Sequence, residues 1–216
     1  MFPIPSPDAS ILRKPQPFYK TMSLIRSPAH FANFTAVSLP FEPEALTGLQ
    51  AGDLVLLSGV MYTGRDQTHR RLCALLDEGR NLPVDLAGQL LYYVGPSPAR
   101  PGRVIGSAGP TTSYRMDAYT PRLLEMGLAA TMGKGARSIP VREAMRRHGS
   151  VYLAAFGGAG ALLSQCIQAV DLVAFADAGP EAMFRFEVAD FPAVVINDAS
   201  GRDFYEKAAA EKISPT

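Results

Sequence analysis

Residues 54–79 read LVLLSGVMYTGRDQTHRRLCALLDEG, an apolar run, a glycine-containing loop and an amphipathic segment in direct succession. Leu54 to Ser58 carries no charge, and such a run predicts a central strand buried on both faces. Past Gly64, the leucines at 72, 75 and 76 fall on one side of a 3.6-residue period. That spacing predicts a helix with Asp66 as its N-cap and Gly79 as its stop. Strand, glycine loop and helix in this order are the unit from which α/β domains are built.

On the N-terminal side, TAVSLPF from Thr35 predicts a strand and Pro43 to Leu49 a short helical turn. Before them, residues 1–34 hold Pro3, Pro5, Pro7, Pro15, Pro17 and Pro28 without a sustained period, which predicts an extended proline-rich arm. The ordered domain is therefore expected over 35–216. On the C-terminal side, Gln89 to Val94, Arg103 to Ala108 and Leu128 to Met132 read as strands, as do Val151 to Phe156, Val170 to Ala176, Phe184 to Val188 and Ala193 to Asn197. Between them, residues 109–127 read as a loop entering a helix that Pro121 delays or kinks. Pro140 to His148 and the small-residue stretch Ala159 to Ala169 read as two further helices. Helices alternate with strands in the middle of the chain while strands cluster towards its ends, which predicts a mixed α/β sheet and leaves the strand order open.

At 216 residues the chain is long enough for one domain of about 150 residues plus an extension. The 21 basic and 20 acidic residues nearly cancel, which argues against a general nucleic-acid binder. With 47% hydrophobic and 19% charged residues there is ample material for a core. So little charge also suits a surface covered in part by a partner. Two cysteines, Cys73 and Cys166, make no disulfide framework and read as core packing. The start of the chain has no basic and apolar signal pattern, and the apolar stretch 151–176 is broken by Gln165, Gln168 and Asp171. No membrane role is expected, and the expected location is the cytoplasm.

Three junctions after expected strands bring cations or hydroxyls next to glycine: Gly64-Arg65-Asp66 with His69, Gly109-Pro110-Thr111-Thr112-Ser113 with Arg115, and Gly133-Lys134-Gly135. Carboxyl ends of strands are where α/β sheets bind ligands, and helix N-termini there suit anions. Arg65 and Arg115 can each grip a carboxylate through two parallel N–H bonds, with Lys134 as a point charge, so the set predicts a pocket for a small dianion. Each group also has a plainer reading. Thr111, Thr112 and Ser113 are good N-caps; GKG lacks the spacing of a P-loop; His69 can be a satisfied, partly buried histidine. His148 suits the last turn of a helix, and Gly157, Gly158 and Gly160 suit close packing.

In combination, TGRDQTH, AGPTTSYRMD, GKG and GPEAMFRFEVADFPAVVINDASG resemble, in this order, the β component of class I fumarases and L(+)-tartrate dehydratases, the iron–sulfur-dependent hydro-lyases. The resemblance runs from Leu49 to Tyr205. It implies a swivelling β/β/α domain and the reversible addition of water across a double bond, fumarate to L-malate. It also implies roles for individual residues. Thr111 would be the acid/base hydroxyl, aided by Lys134; Arg65, Arg115, Lys134 and Thr112 would hold substrate carboxylates; Asp66 and His69 would orient Arg65. The family's four-iron four-sulfur cluster needs three protein thiolates and this chain has two cysteines, so the cluster would be held by a partner α subunit and none by this chain. An α2β2-type assembly, inactive without its α subunit, follows. GRD and RMD look more like the fumarase version than the tartrate version, in which CRD and RME are common. An L(+)-tartrate dehydratase or a hydratase of a methylated dicarboxylate stays open. So does a different class, a non-catalytic anion-binding or regulatory module. A structural assembly subunit would explain the arm but not the basic loops.

Overall fold

The computed structural model describes residues 33–213. The segment for which the sequence predicts a proline-rich arm lies, up to residue 32, outside the described residues. Seven strands run as β1 (Phe34–Leu39), β2 (Leu54–Thr63), β3 (Leu90–Tyr92), β4 (Ala130–Gly133), β5 (Val151–Ala154), β6 (Ile167–Ala174) and β7 (Met183–Asn197). The helices are α1 (Pro43–Gly48), α2 (Asp66–Asp77), α3 (Thr120–Glu125), α4 (Ile139–His148), α5 (Gly160–Leu163) and α6 (Phe204–Ile213). A short 3-10 helix covers Ser113–Met116.

The strand order is β1-β2-β3-β4-β5-β7-β6, with a further pairing of β2 to β7. Neighbours from β1 to β5 are parallel, whereas β7 runs antiparallel to β2, β5 and β6. Because β2 touches β3 and β7, and β7 touches β5, the path β2-β3-β4-β5-β7 returns to its start. These five strands form a closed ring, and β1 and β6 are added to it as edge strands, each paired on one side. Strand length makes this arrangement fit: the first half of β2 pairs with β1 and its last two residues with β3. At the change-over Gly59 has φ +124, and a Cβ there would stand 2.2 Å from the Leu39 carbonyl oxygen, so no other residue fits without moving β1.

Side-chain alternation splits the core in two. Leu90 and Tyr92 of β3, with Val55, Leu57, Phe186, Phe191 and Val195, join one cluster. Leu91 and Tyr93 join the other, with Leu72 of α2, Leu123 and Leu124 of α3, and Val141 and Met145 of α4. Helices α2, α3 and α4 therefore cover one face of the sheet. Both faces of β3 are fully buried, whereas β2, where burial on both faces is expected, alternates: Val55 and Leu57 are buried, and Leu54, Leu56 and Ser58 only half-buried.

Several expectations are corrected. Arg103 to Ala108 is not a strand: Ser97 and Ser107 share a backbone hydrogen bond of 3.0 Å that folds this stretch back as a loop. The helix expected over 159–169 ends at Leu163, because the chain from Ile167 pairs with β7. Sheet pairing there overrides the local preference of small residues for helix. Phe184 to Val188 and Ala193 to Asn197 are one strand, bent where Asp190 adopts φ +51. Asp66 is the first residue of α2 and Arg65 its N-cap. The loop-to-helix segment divides into the 3-10 helix and α3, with Pro121 in the first turn of α3, the late start that proline favours.

Candidate functional site

The carboxyl ends of β2, β3 and β4 are tied to one another by backbone bonds. Gly64 N donates to the Tyr92 carbonyl at 3.0 Å, and Tyr93 N to Met132 at 2.8 Å. Residues 111–113 continue this lacing: Thr111 N donates to the Tyr93 carbonyl at 2.7 Å, Lys134 N to Thr111 at 3.1 Å and Ser113 N to Lys134 at 2.9 Å. The Thr112–Lys134 bridge is parallel, so the threonines sit in ladder register with the GKG loop. Gly133 lets the two chains approach this closely, since a Cβ would fall 2.1 Å from Ser113 Oγ and 3.0 Å from the Thr111 carbonyl oxygen.

Arg115 reaches across to the start of α2 and grips Asp66 with both arms, Nε to Oδ1 at 3.1 Å and Nη2 to Oδ2 at 2.7 Å. Arg65, the preceding residue, pairs through Nη2 with Glu181 Oε1 at 3.2 Å. Arg65, Thr111, Thr112, Arg115 and Lys134 are thus brought to one end of three adjacent strands. Thr111 and Thr112 are half-buried, Lys134 is exposed, and a Cβ at Gly157 would meet its Cδ at 4.0 Å. Lys134 makes no ion pair among the described residues.

The expectation that Asp66 orients Arg65 is not met, because its carboxylate is committed to Arg115. His69 touches Arg65 through the main chain instead. Its Nδ1 lies 2.8 Å from the Arg65 carbonyl oxygen, which only accepts, so Nδ1 carries the proton. The ring is fully buried, packs edge-on against Tyr93 with centroids 5.1 Å apart, and leaves Nε2 without a partner among the described groups. Burial lowers its pKa to about 4, so His69 is neutral near pH 7. Thr112 precedes the 3-10 helix but makes no side-chain cap, and Ser113 Oγ is turned inward to Tyr152 Oη at 2.9 Å.

Two residues escaped the sequence reading. Arg137 is a guanidinium with no exposed side-chain surface. It donates to Asp117 at 2.8 Å, Thr131 at 2.9 Å, Thr120 at 2.8 Å and the Tyr93 hydroxyl at 3.3 Å, and lies over the rings of Tyr93 and Tyr152. Tyr152 in turn donates to the Gly135 carbonyl at 2.8 Å, so Arg137 and Tyr152 anchor the GKG loop from beneath. Nothing in GARS distinguishes a buried arginine from an exposed one. Glu181 stands in the block GPEAMF, where only its partner in space reveals its use.

The remaining candidates have structural places. Gly160 abuts Gly109, and a Cβ on it would meet Gly109 N at 2.8 Å. His148 ends α4, and Gly149 in left-handed conformation closes it. Cys73 is half-buried and Cys166 buried, and burial raises the pKa of both thiols. They sit with different core clusters, and no group of three potential metal-binding side chains occurs among the described residues. The two cysteines therefore do not fit as holders of an iron–sulfur cluster. Among the described residues no helix is long and apolar enough to cross a membrane.

Chemically, the site offers two arginines, a lysine and half-buried hydroxyls at an open strand end, with Asp66 and Glu181 each already engaged by an arginine. These are donor groups of the kind that bond anions, gathered where α/β sheets bind ligands, with Lys134 the one of the three cations that has no ion pair among the described residues. The sequence model of the fumarase C-terminus matches residues 22–208, which takes in every residue just described. The chain belongs to the fumarase C-terminus family. Over 183 residues it is 38% identical to a protein named putative fumarate hydratase class I of Geobacillus stearothermophilus, covering 81% of this chain and 35% of that protein. It is 40% identical over 153 residues to the anaerobic class I fumarate hydratase of Escherichia coli, covering 70% of this chain and 28% of that enzyme. With the putative L(+)-tartrate dehydratase subunit beta of Methanocaldococcus jannaschii it shares 36% identity over 165 residues, covering 74% of this chain and 85% of that subunit. This member of the fumarase C-terminus family thus spans about a third of the fumarate hydratases and nearly the whole of the tartrate dehydratase subunit.

Proposed function

We propose that this chain is the β subunit of an iron–sulfur hydro-lyase, a fumarate hydratase that interconverts L-malate with fumarate and water. The observation that carries this reading is the junction of Arg65, Thr111, Arg115 and Lys134 at one strand end in a member of the fumarase C-terminus family. Arg65 and Arg115 would each take one carboxylate of the substrate, with Thr112 and Lys134 completing the pocket. Withdrawing a proton from the carbon beside a carboxylate builds negative charge on that carboxylate, and fixed cations there stabilise it as it develops. Thr111 would hold or pass that proton. A threonine hydroxyl is a weak base in water, and the neighbouring Lys134 cation favours its deprotonated form. Asp66 fixes the guanidinium of Arg115, and the buried His69 fixes the main chain at Arg65.

The four-iron four-sulfur cluster would be held by a partner α subunit and none by this chain, whose two cysteines are fewer than the three thiolates the family's cluster needs. The assembly is read as α2β2-type, cytoplasmic and inactive without α, with the closed sheet as the swivelling β/β/α domain of the family. The 36% identity to the Methanocaldococcus subunit supports a second substrate reading, L(+)-tartrate, and a methylated dicarboxylate stays open beside it. Discrimination by one hydroxyl depends on hydrogen bonds that the partner would share in making. A non-catalytic anion-binding module is the reading of another class.

The test is anaerobic co-purification with the α subunit, reconstitution with iron and sulfide, and absorbance assays on fumarate, L-malate and L-tartrate. Turnover of fumarate and L-malate by the complex alone supports the proposal. Preference for tartrate transfers it to the second reading, and an associated complex inert on all three leaves the binding-module reading.

A further inference from the structure

The two arginines are both held by carboxylates of this chain, but not alike. Asp66 holds Arg115 on an open surface, the side chains being 34% and 41% exposed. Arg65 and Glu181 are 22% exposed each. Glu181 arrives from the connection between β6 and β7 and is itself fixed at three points. Its carbonyl accepts from Thr68 Oγ1 at 2.5 Å, its Oε2 accepts from Gln67 N at 3.1 Å, and its Oε1 faces Arg65 Nη2. On the other side the guanidinium lies on bare backbone: a Cβ at Gly95 would stand 2.6 Å from Arg65 Nη1, 3.2 Å from its Cδ and 3.3 Å from the Pro180 carbonyl oxygen. Arg65 Nε is buried without an acceptor. With Nε sealed and Nη2 in ion-pair contact with Glu181, the Nη1–Nη2 edge carries the N–H groups left for a ligand, and its spacing matches a carboxylate.

We propose that Glu181 and Gly95 form a socket that positions Arg65 for one carboxylate of a dicarboxylate substrate. Glu181 is thus a positioning residue that does not touch the substrate. The proposal rests on the reading that Arg65 grips the substrate. The socket removes the rotamer freedom of Arg65 during folding, so that binding does not have to. Charge alone argues the other way: a carboxylate beside an anion site repels the anion, and removing it should tighten binding. The sign of the effect therefore separates positioning from simple electrostatics.

Wild type, Glu181→Gln and Gly95→Ala are compared in the α-containing complex and as the full chain alone. In the complex, each variant is expected to raise the dicarboxylate KM by roughly tenfold, the scale for one side chain that binding must immobilise, with kcat falling by a smaller factor. In the chain alone, the guanidinium N–H signals of Arg65 are expected to be separate and slowly exchanging by NMR in wild type, and averaged in Glu181→Gln. A KM that stays level or falls overturns the proposal, as does an Arg65 guanidinium equally ordered without Glu181. A wild-type complex without hydro-lyase activity overturns the functional reading instead, and the NMR comparison then decides the socket.

Discussion

Thr111 and Arg115 occupy neighbouring turns of chain but carry separable tasks. Replacing Thr111 by Ala removes a hydroxyl and leaves the backbone bonds to Tyr93 and Lys134 in place. Turnover by the complex should fall by about a hundredfold or more, the scale of lost acid–base assistance, with the subunits still co-eluting. Arg115→Lys keeps the charge and loses the fork, so KM for the dicarboxylate should rise more than kcat falls. His69 gives a test that needs no partner. Its folded pKa of about 4 lies below the unfolded value of 6.5, so the unfolded chain binds the extra proton first. Stability contributed by the neutral, buried ring is complete above pH 6.5 and is lost as pH falls towards 4. The loss attributable to this residue should be on the order of 3 kcal/mol, from about 1.4 kcal/mol per pKa unit. Urea unfolding at pH 7 and pH 4.5, compared with His69→Gln, isolates it, and equal slopes in the two proteins would refute it.

At the scale of elements, the site depends on how the GKG loop is seated. The loop leaves β4 in the open, yet beneath it Arg137 joins Asp117, Thr120, Thr131 and Tyr93, and Tyr152 bonds the Gly135 carbonyl. A lysine cannot reproduce a planar group that bonds in three directions and stacks on two rings. Arg137→Lys should lower unfolding stability by about 3 kcal/mol, the range for a disrupted buried ion pair, read from denaturant midpoints. The sequence made the strand-loop-helix units legible through β2, α2 and α4, where the apolar period is strong. It misjudged Arg103 to Ala108 and Ala159 to Ala169, where short apolar or small-residue runs fit two conformations and pairing elsewhere decides.

For the molecule as a whole, closure of the sheet is the organising feature, since β2 and β7 each contact three strands. Their amides should exchange only through global opening, while the 97–106 loop exchanges faster. Hydrogen exchange followed by mass spectrometry checks this, and a β7 that exchanges ahead of β3 and β4 would count against a closed ring. The blocks around Arg65, Thr111, Arg115 and Lys134 point to a family and a set of candidate residues from the sequence alone, because cations and hydroxyls beside glycine at strand ends are local patterns. The partners of those residues were not local. That Asp66 serves Arg115, that Glu181 holds Arg65 and that Arg137 lies under the GKG loop follow from contacts between segments far apart in the chain. Residue types and their period determine which elements form and which groups they carry. Strand order, and with it which carboxylate meets which guanidinium, is settled only when non-local pairing and packing bring distant segments together.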